Sequence, residues 1–93
     1  MNDKKRLLEL ISKREEMCSE PLNYEHVLEW LEELHYLFGK LDFSSSITPK
    51  IRRIIEQIFF FSNNKNLLKE KIVLVKVKLS VFEKYEAEKL RKS

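Results

Sequence analysis

Three residues punctuate this chain: Gly39 is the only glycine, and Pro21 and Pro49 are the only prolines, among 93 positions. These residue types cost most in a helix interior, about 1 kcal/mol for glycine and about 3 kcal/mol for proline. The stretches between them are therefore free to form long helices, and the connections must be built from Ser, Asn and Asp.

Between Asp3 and about Cys18, the apolar residues Leu7, Leu10, Ile11, Met17 and Cys18 recur with a helical period among charges, which predicts helix one. Ser19-Glu20-Pro21-Leu22-Asn23 ends it, because proline disfavours helical geometry at the residue before it, and Asn23 can cap a second helix from about Tyr24. Val27, Trp30, Leu31, Leu34, Leu37, Phe38 and Leu41 then fall within about one third of the helix circumference, with Glu25, Glu29 and Glu32 opposite. Gly39 stands at the natural end of this helix, although Leu41 extends its stripe. Residues 42–47 read as a connector. Thr48-Pro49 is the clearest start signal, a capping hydroxyl followed by proline at the first helical position. Ile51, Ile54, Ile55, Ile58 and Phe61 form the stripe of helix three, which Ser62-Asn63-Asn64-Lys65-Asn66 closes.

The last segment carries two patterns. Val75-Lys76-Val77-Lys78-Leu79-Ser80-Val81 alternates as a half-buried strand would, yet Leu68, Ile72, Val75, Leu79 and Phe82 step by four and three, as one helical face does. Strong helix formers flank it, and a lone strand would have no ladder partner, so helix is the favoured reading. The expected fold class is all-α: a single helical domain over residues 1–93, packed as a small antiparallel bundle of about four helices. A β-strand over residues 72–81 stands as the alternative.

A chain of this size holds one modest core, with a stability of about 5–10 kcal/mol, so a partner or a second copy covering more apolar surface would matter. Cys18 is the only cysteine, which rules out an intramolecular disulfide and suits a reducing compartment, so a cytoplasmic location is expected. The charged start Met1-Asn2-Asp3-Lys4-Lys5-Arg6 is not expected to be a signal peptide, and Lys76 and Lys78 interrupt the most apolar stretch, so no membrane insertion is expected.

Catalytic chemistry has little to work with. His26 and His35 stand nine residues apart on helix two, about 180° around its axis, and cannot converge on one metal from that helix. Cys18 shares the apolar stripe of helix one rather than an electropositive niche, the glutamates fall on outward faces, and one glycine cannot build a phosphate-cradling loop. No catalytic, metal-binding or cofactor-binding residue is assigned, and no enzyme activity is expected.

Charge and aromatic placement point instead to binding. Residues 1–43 carry six Lys and Arg against ten Asp and Glu, and residues 44–93 carry twelve against five, so the halves are oppositely charged within a net +3. Tyr36 falls on the acidic line of Glu25, Glu29 and Glu32, while Phe60 lies beside Arg53 and Gln57, opposite the isoleucine stripe. Aromatics beside arginine are the composition of interface centres. Single exposed aromatics are also common, and a second neighbouring helix can cover Phe59 or Phe60 without any partner. The leading expectation is a small protein-binding module, an inhibitor, immunity factor or regulator. Its contact faces would be Arg53, Gln57 and Phe60, and, oppositely charged, Glu25, Glu29, Glu32 and Tyr36. The alternatives are nucleic-acid binding by the basic half over residues 48–92, through Lys50, Arg52, Arg53, Lys76 and Lys78, and a homodimer through helix four, whose Val73, Leu74, Val77 and Val81 lie off its main stripe. No motif places the chain in a family; its size, helical reading and basic C-terminal half are loosely similar to small bacterial immunity proteins and to inhibitors encoded by mobile elements.

Overall fold

The protein's structure, a computed structural model, describes residues 2–41, 46–61 and 63–87, with residues 86 and 87 described by backbone alone. Five helices follow in order: α1 (Asp3–Ser12), α2 (Arg14–Met17), α3 (Tyr24–Lys40), α4 (Ile47–Phe60) and α5 (Lys65–Phe82), with a π-helical turn at Glu83–Ala87. No strand occurs among the described residues, and 72–81 lies wholly within α5. The helical stripe wins there because Leu68, Ile72, Val75, Leu79 and Phe82 are all buried, a set that period two cannot place on one face.

Three helix starts are capped by asparagine. Asn2 Oδ1 accepts from the Lys4 and Lys5 amides, Asn23 Oδ1 from His26, and Asn64 Oδ1 from Leu67, each satisfying N–H groups that the helix leaves open. α4 departs from expectation: it begins at Ile47, Ser46 supplies no side-chain cap, and Thr48 is buried. Thr48 stands three and seven residues before Ile51 and Ile55, so the isoleucine stripe draws it inward and its hydroxyl is not spent on the helix end. Gly39 likewise does not end α3. The helix continues through Lys40, Leu41 caps it in an extended conformation, and no glycine adopts a positive φ.

The first helix, expected to be continuous to Cys18, breaks at Lys13. Ser12 Oγ donates to the Glu9 carbonyl at 2.6 Å, the acceptor that the Lys13 amide would use, and the Lys13 amide turns to the Leu10 carbonyl at 3.2 Å. That same Leu10 carbonyl receives the buried indole N–H of Trp30 at 2.8 Å.

Polar pairs fix the antiparallel arrangement. Asp3 with Lys40 (2.9 Å) and Arg6 with Glu33 (2.6 Å) set α1 against α3. Glu15 with Lys76 (3.0 Å), Arg14 with Glu83 (2.9 Å) and Glu20 with Lys69 (3.3 Å) set α2 and its following loop against α5. α4 packs between α3 and α5, with α5 its most extensive neighbour. The four sides close around one core that includes Leu7, Ile11, Leu31, Leu34, Ile51, Ile55, Ile58, Val75 and Leu79. Phe38 of α3 meets Phe82 of α5 edge to face, ring centroids 5.2 Å apart. Among the described residues, no helix is long and apolar enough to cross a membrane.

Candidate functional site

α3 and α4 run antiparallel in a constant register. Glu32 shares a cleft with Phe59, His35 Nε2 lies 2.7 Å from Glu56 Oε2, and Gly39 faces the Arg52 guanidinium. The steps 32, 35, 39 on one helix and 59, 56, 52 on the other are the three- and four-residue spacing of a single helical side. The outward faces of both helices therefore form one continuous surface across this seam, where the sequence reading treats them as two separate faces.

On α3, Glu25, Glu29 and Glu32 are exposed, and Tyr36 is 61% exposed. Lys40 Nζ lies 5.7 Å from the centroid of the Tyr36 ring, one turn away, and orients that ring. The Asp3 carboxylate, with a smaller contribution from Tyr36, holds the Lys40 ammonium above its ordinary pKa. On α4, Arg53 is exposed, Gln57 is half-buried, and Phe60 is the most exposed large apolar side chain among the described residues at 80%. Phe61 packs on Phe60 edge to face, centroids 4.9 Å apart, and Phe59 borders the seam beside Glu32 and His35 in a cleft of about 270 Å³. The bundle thus leaves Phe60 largely uncovered, while Phe59 and Phe61 are 40% and 41% exposed.

The seam is polar as well as aromatic. The hydrogen bond from His35, joined by the charges of Arg52 and Arg53, holds the Glu56 carboxyl below its ordinary pKa. On the opposite flank of α3, Arg6 donates to both Glu33 oxygens at 2.6 and 2.8 Å, lowering the Glu33 pKa. Glu33 is thereby tied to α1, while Glu25, Glu29 and Glu32 keep their carboxylates on the outer face.

The cations of the nucleic-acid reading do not all gather. Around α4, Arg52 lies about 160° from Lys50 and about 100° from Arg53 and points away from both, whereas Lys50 and Arg53, about 60° apart, share one exposed side. Arg52 is half-buried against Gly39. Lys76 is turned toward α2 by Glu15, whereas Lys78 stands about 160° away on the other flank of α5. Lys89, Arg91 and Lys92 lie outside the described residues.

α5 has a second apolar row that the core does not use. Val73, Val77 and Val81 are 54%, 51% and 38% exposed, one turn apart, and with Lys76, Ser80 and Lys84 they border a shallow groove of about 380 Å³. Cys18 packs half-buried against the core, and burial raises its thiol pKa to about 11. Among the described residues, no group of three His, Cys, Asp or Glu stands close enough to hold a metal ion. Comparison with protein-family models, with curated proteins and with solved structures finds no match for this chain.

Proposed function

We propose that the chain is a small non-enzymatic module that binds another protein through the outer surface of α3 and α4, as an inhibitor, immunity factor or regulator. The observation that supports this most is the exposure of Phe60 at 80% and Tyr36 at 61% on neighbouring antiparallel helices. A partner would desolvate both rings, as the centres of protein interfaces do. Glu25, Glu29 and Glu32 on one side and Arg53 on the other supply charges of both signs, which steer encounter and select orientation more than they add affinity.

The test is affinity capture from the native host with mass spectrometry, under nuclease treatment, comparing the wild-type chain with Phe60→Ala and Arg53→Glu. A protein retained by the wild type and released more than about tenfold by Phe60→Ala is expected, the effect of removing an aromatic anchor. Capture of the same proteins by all three chains at equal strength would remove this face. Material that disappears on nuclease treatment would support nucleic-acid binding instead.

Self-association is the second reading, favoured by the row Val73, Val77 and Val81 on α5. It requires a dimer mass in light scattering at micromolar concentration that Val77→Glu returns to the monomer.

A further inference from the structure

The loop end of the α3–α4 pair holds a cleft of about 390 Å³ whose walls include Gly39, Lys40, Thr48 and Arg52. Two polar groups there are buried with no partner among the described residues: the Thr48 hydroxyl, on a residue only 6% exposed, and the Nε–H of Arg52. Buried donors that find no acceptor are costly to a fold, so two of them one helical turn apart in the same cleft need an explanation. Gly39 supplies a further observation. A Cβ at that position would stand 3.0 Å from Arg52 Nη2 and 3.2 Å from its Cζ, so the guanidinium lies tightly against the bare Gly39 backbone and would have to shift by a few tenths of an ångström for a side chain there.

We propose that this cleft binds a carboxylate group. The Nε and Nη2 edge of a guanidinium matches the two oxygens of a carboxylate, each accepting one N–H, and the Thr48 hydroxyl can donate to the nearer oxygen. The first turn of α4 adds the favourable end of its dipole. Lys40 is committed to Asp3 at 2.9 Å, and Glu56, the carboxylate one turn beyond Arg52, is engaged by His35 at 2.7 Å. The Arg52 charge also acts on Glu56, but its Nε–H has no acceptor among the described residues, and a single guanidinium suits a monoanion better than a dianion. The carboxylate can belong to a small organic acid or to an acidic side chain of a protein, since the cleft shares Gly39, Lys40 and Arg52 with the depression beside Tyr36. The assignment stands independently of the protein-binding face.

The test is a titration of the full chain with sodium acetate against sodium chloride at matched ionic strength, followed by NMR of the Gly39 amide and the Arg52 Nε–H. Saturable shifts at both, with a midpoint on the order of 10 mM, are expected for so small a ligand, together with a rise in Tm that chloride does not give. Arg52→Met and Thr48→Val, which delete the unpartnered donors, are expected to fold and to lose the acetate response. Gly39→Ala keeps both donors, displaces the guanidinium and weakens the response, so the proposal stays testable should Arg52→Met unfold. A blocked tripeptide carrying one glutamate, binding more tightly than acetate, would assign the carboxylate to a protein; equal binding would assign it to a small acid. Non-saturating shifts, an unchanged acetate response in Arg52→Met or Gly39→Ala, or tighter binding of inorganic phosphate would overturn the proposal.

Discussion

Arg14 grips Glu83 with two parallel hydrogen bonds, Nη2 to Oε1 at 2.9 Å and Nη1 to Oε2 at 3.2 Å, across 69 positions of sequence. Its Nε donates to Ser80 Oγ at 2.9 Å, and Nη1 also reaches the Ile11 carbonyl at 3.0 Å. One guanidinium thus joins the break between α1 and α2 to the end of α5. The pair is mostly shielded, with side chains 16% and 29% exposed, which places it above the ordinary surface salt bridge. Arg14→Met is expected to lower stability by about 1–3 kcal/mol in urea denaturation, because Glu83 and Ser80 lose charge-assisted partners in a partly buried setting. A double-mutant cycle with Glu83→Gln should show coupling above about 0.5 kcal/mol; additivity would mean that the two side chains act independently.

Trp30→Phe removes the indole N–H and leaves the Leu10 carbonyl with the Lys13 amide alone. A cost of about 1–3 kcal/mol is expected from the lost buried hydrogen bond and the smaller ring. Ser12→Ala should restore the Glu9 carbonyl to the backbone and favour a continuous helix through Lys13, read as slower amide exchange at that position. Unchanged exchange there would show that tertiary packing alone makes the break.

Acid should weaken the bundle through Glu33 and Glu56. Both carboxyls titrate below the ordinary value of 4.5 in the folded state, Glu33 through its hydrogen bonds from Arg6 and Glu56 through its bond with His35. A folded pKa below the unfolded one contributes stability that is present above the unfolded value and is lost as pH falls through the folded value. The decline should begin near pH 4.5 and continue below it, and screening at these exposed sites keeps it small. Glu33→Gln should show a shallower decline of Tm over that interval than the wild type. Parallel curves would exclude the Arg6 pair as a source of the acid sensitivity.

The Cys18 thiol should be slow to alkylate. Burial raises its pKa to about 11, against an opposing pull from Lys76, so little thiolate forms at pH 8. Iodoacetamide labelling is expected to proceed at least tenfold more slowly in buffer than in denaturant, where the thiol returns toward its ordinary value. Equal rates would mean that the α2 turn opens freely.

Much of this architecture was legible from spacing alone. The stripes of α3, α4 and α5 are largely the residues that the core buries, and the outward placement of Tyr36 and Phe60 follows from counting 100° per residue. Phe61, expected in the α4 stripe, is instead 41% exposed, because the helix ends at Phe60 and the cap residue leaves the helical face, and Leu41 beyond the end of α3 is only half-buried. What spacing could not supply is the lateral order of the helices. Arg52, grouped by sequence with the cations of a basic half, comes to rest against Gly39 because of the register between α3 and α4, a tertiary fact. Gly39 reads as a helix end by composition, yet it serves as an opening for a neighbouring side chain. The break at Lys13 depends on a serine hydroxyl and on an indole twenty residues from its carbonyl, and local propensity records neither. Thr48 carries the strongest local start signal, but burial of the isoleucine stripe overrides it.

The chain's one tryptophan sits 4% exposed at the joint between α1 and α3, its N–H already engaged. The molecule therefore contains an intrinsic optical gauge of that joint: blue-shifted emission while the first helix stays docked, and a red shift when it lifts away. Events confined to the far edge of α4 and α5 would leave the gauge silent, so its response separates loosening of the amino-terminal arm from disturbance elsewhere, with no label attached.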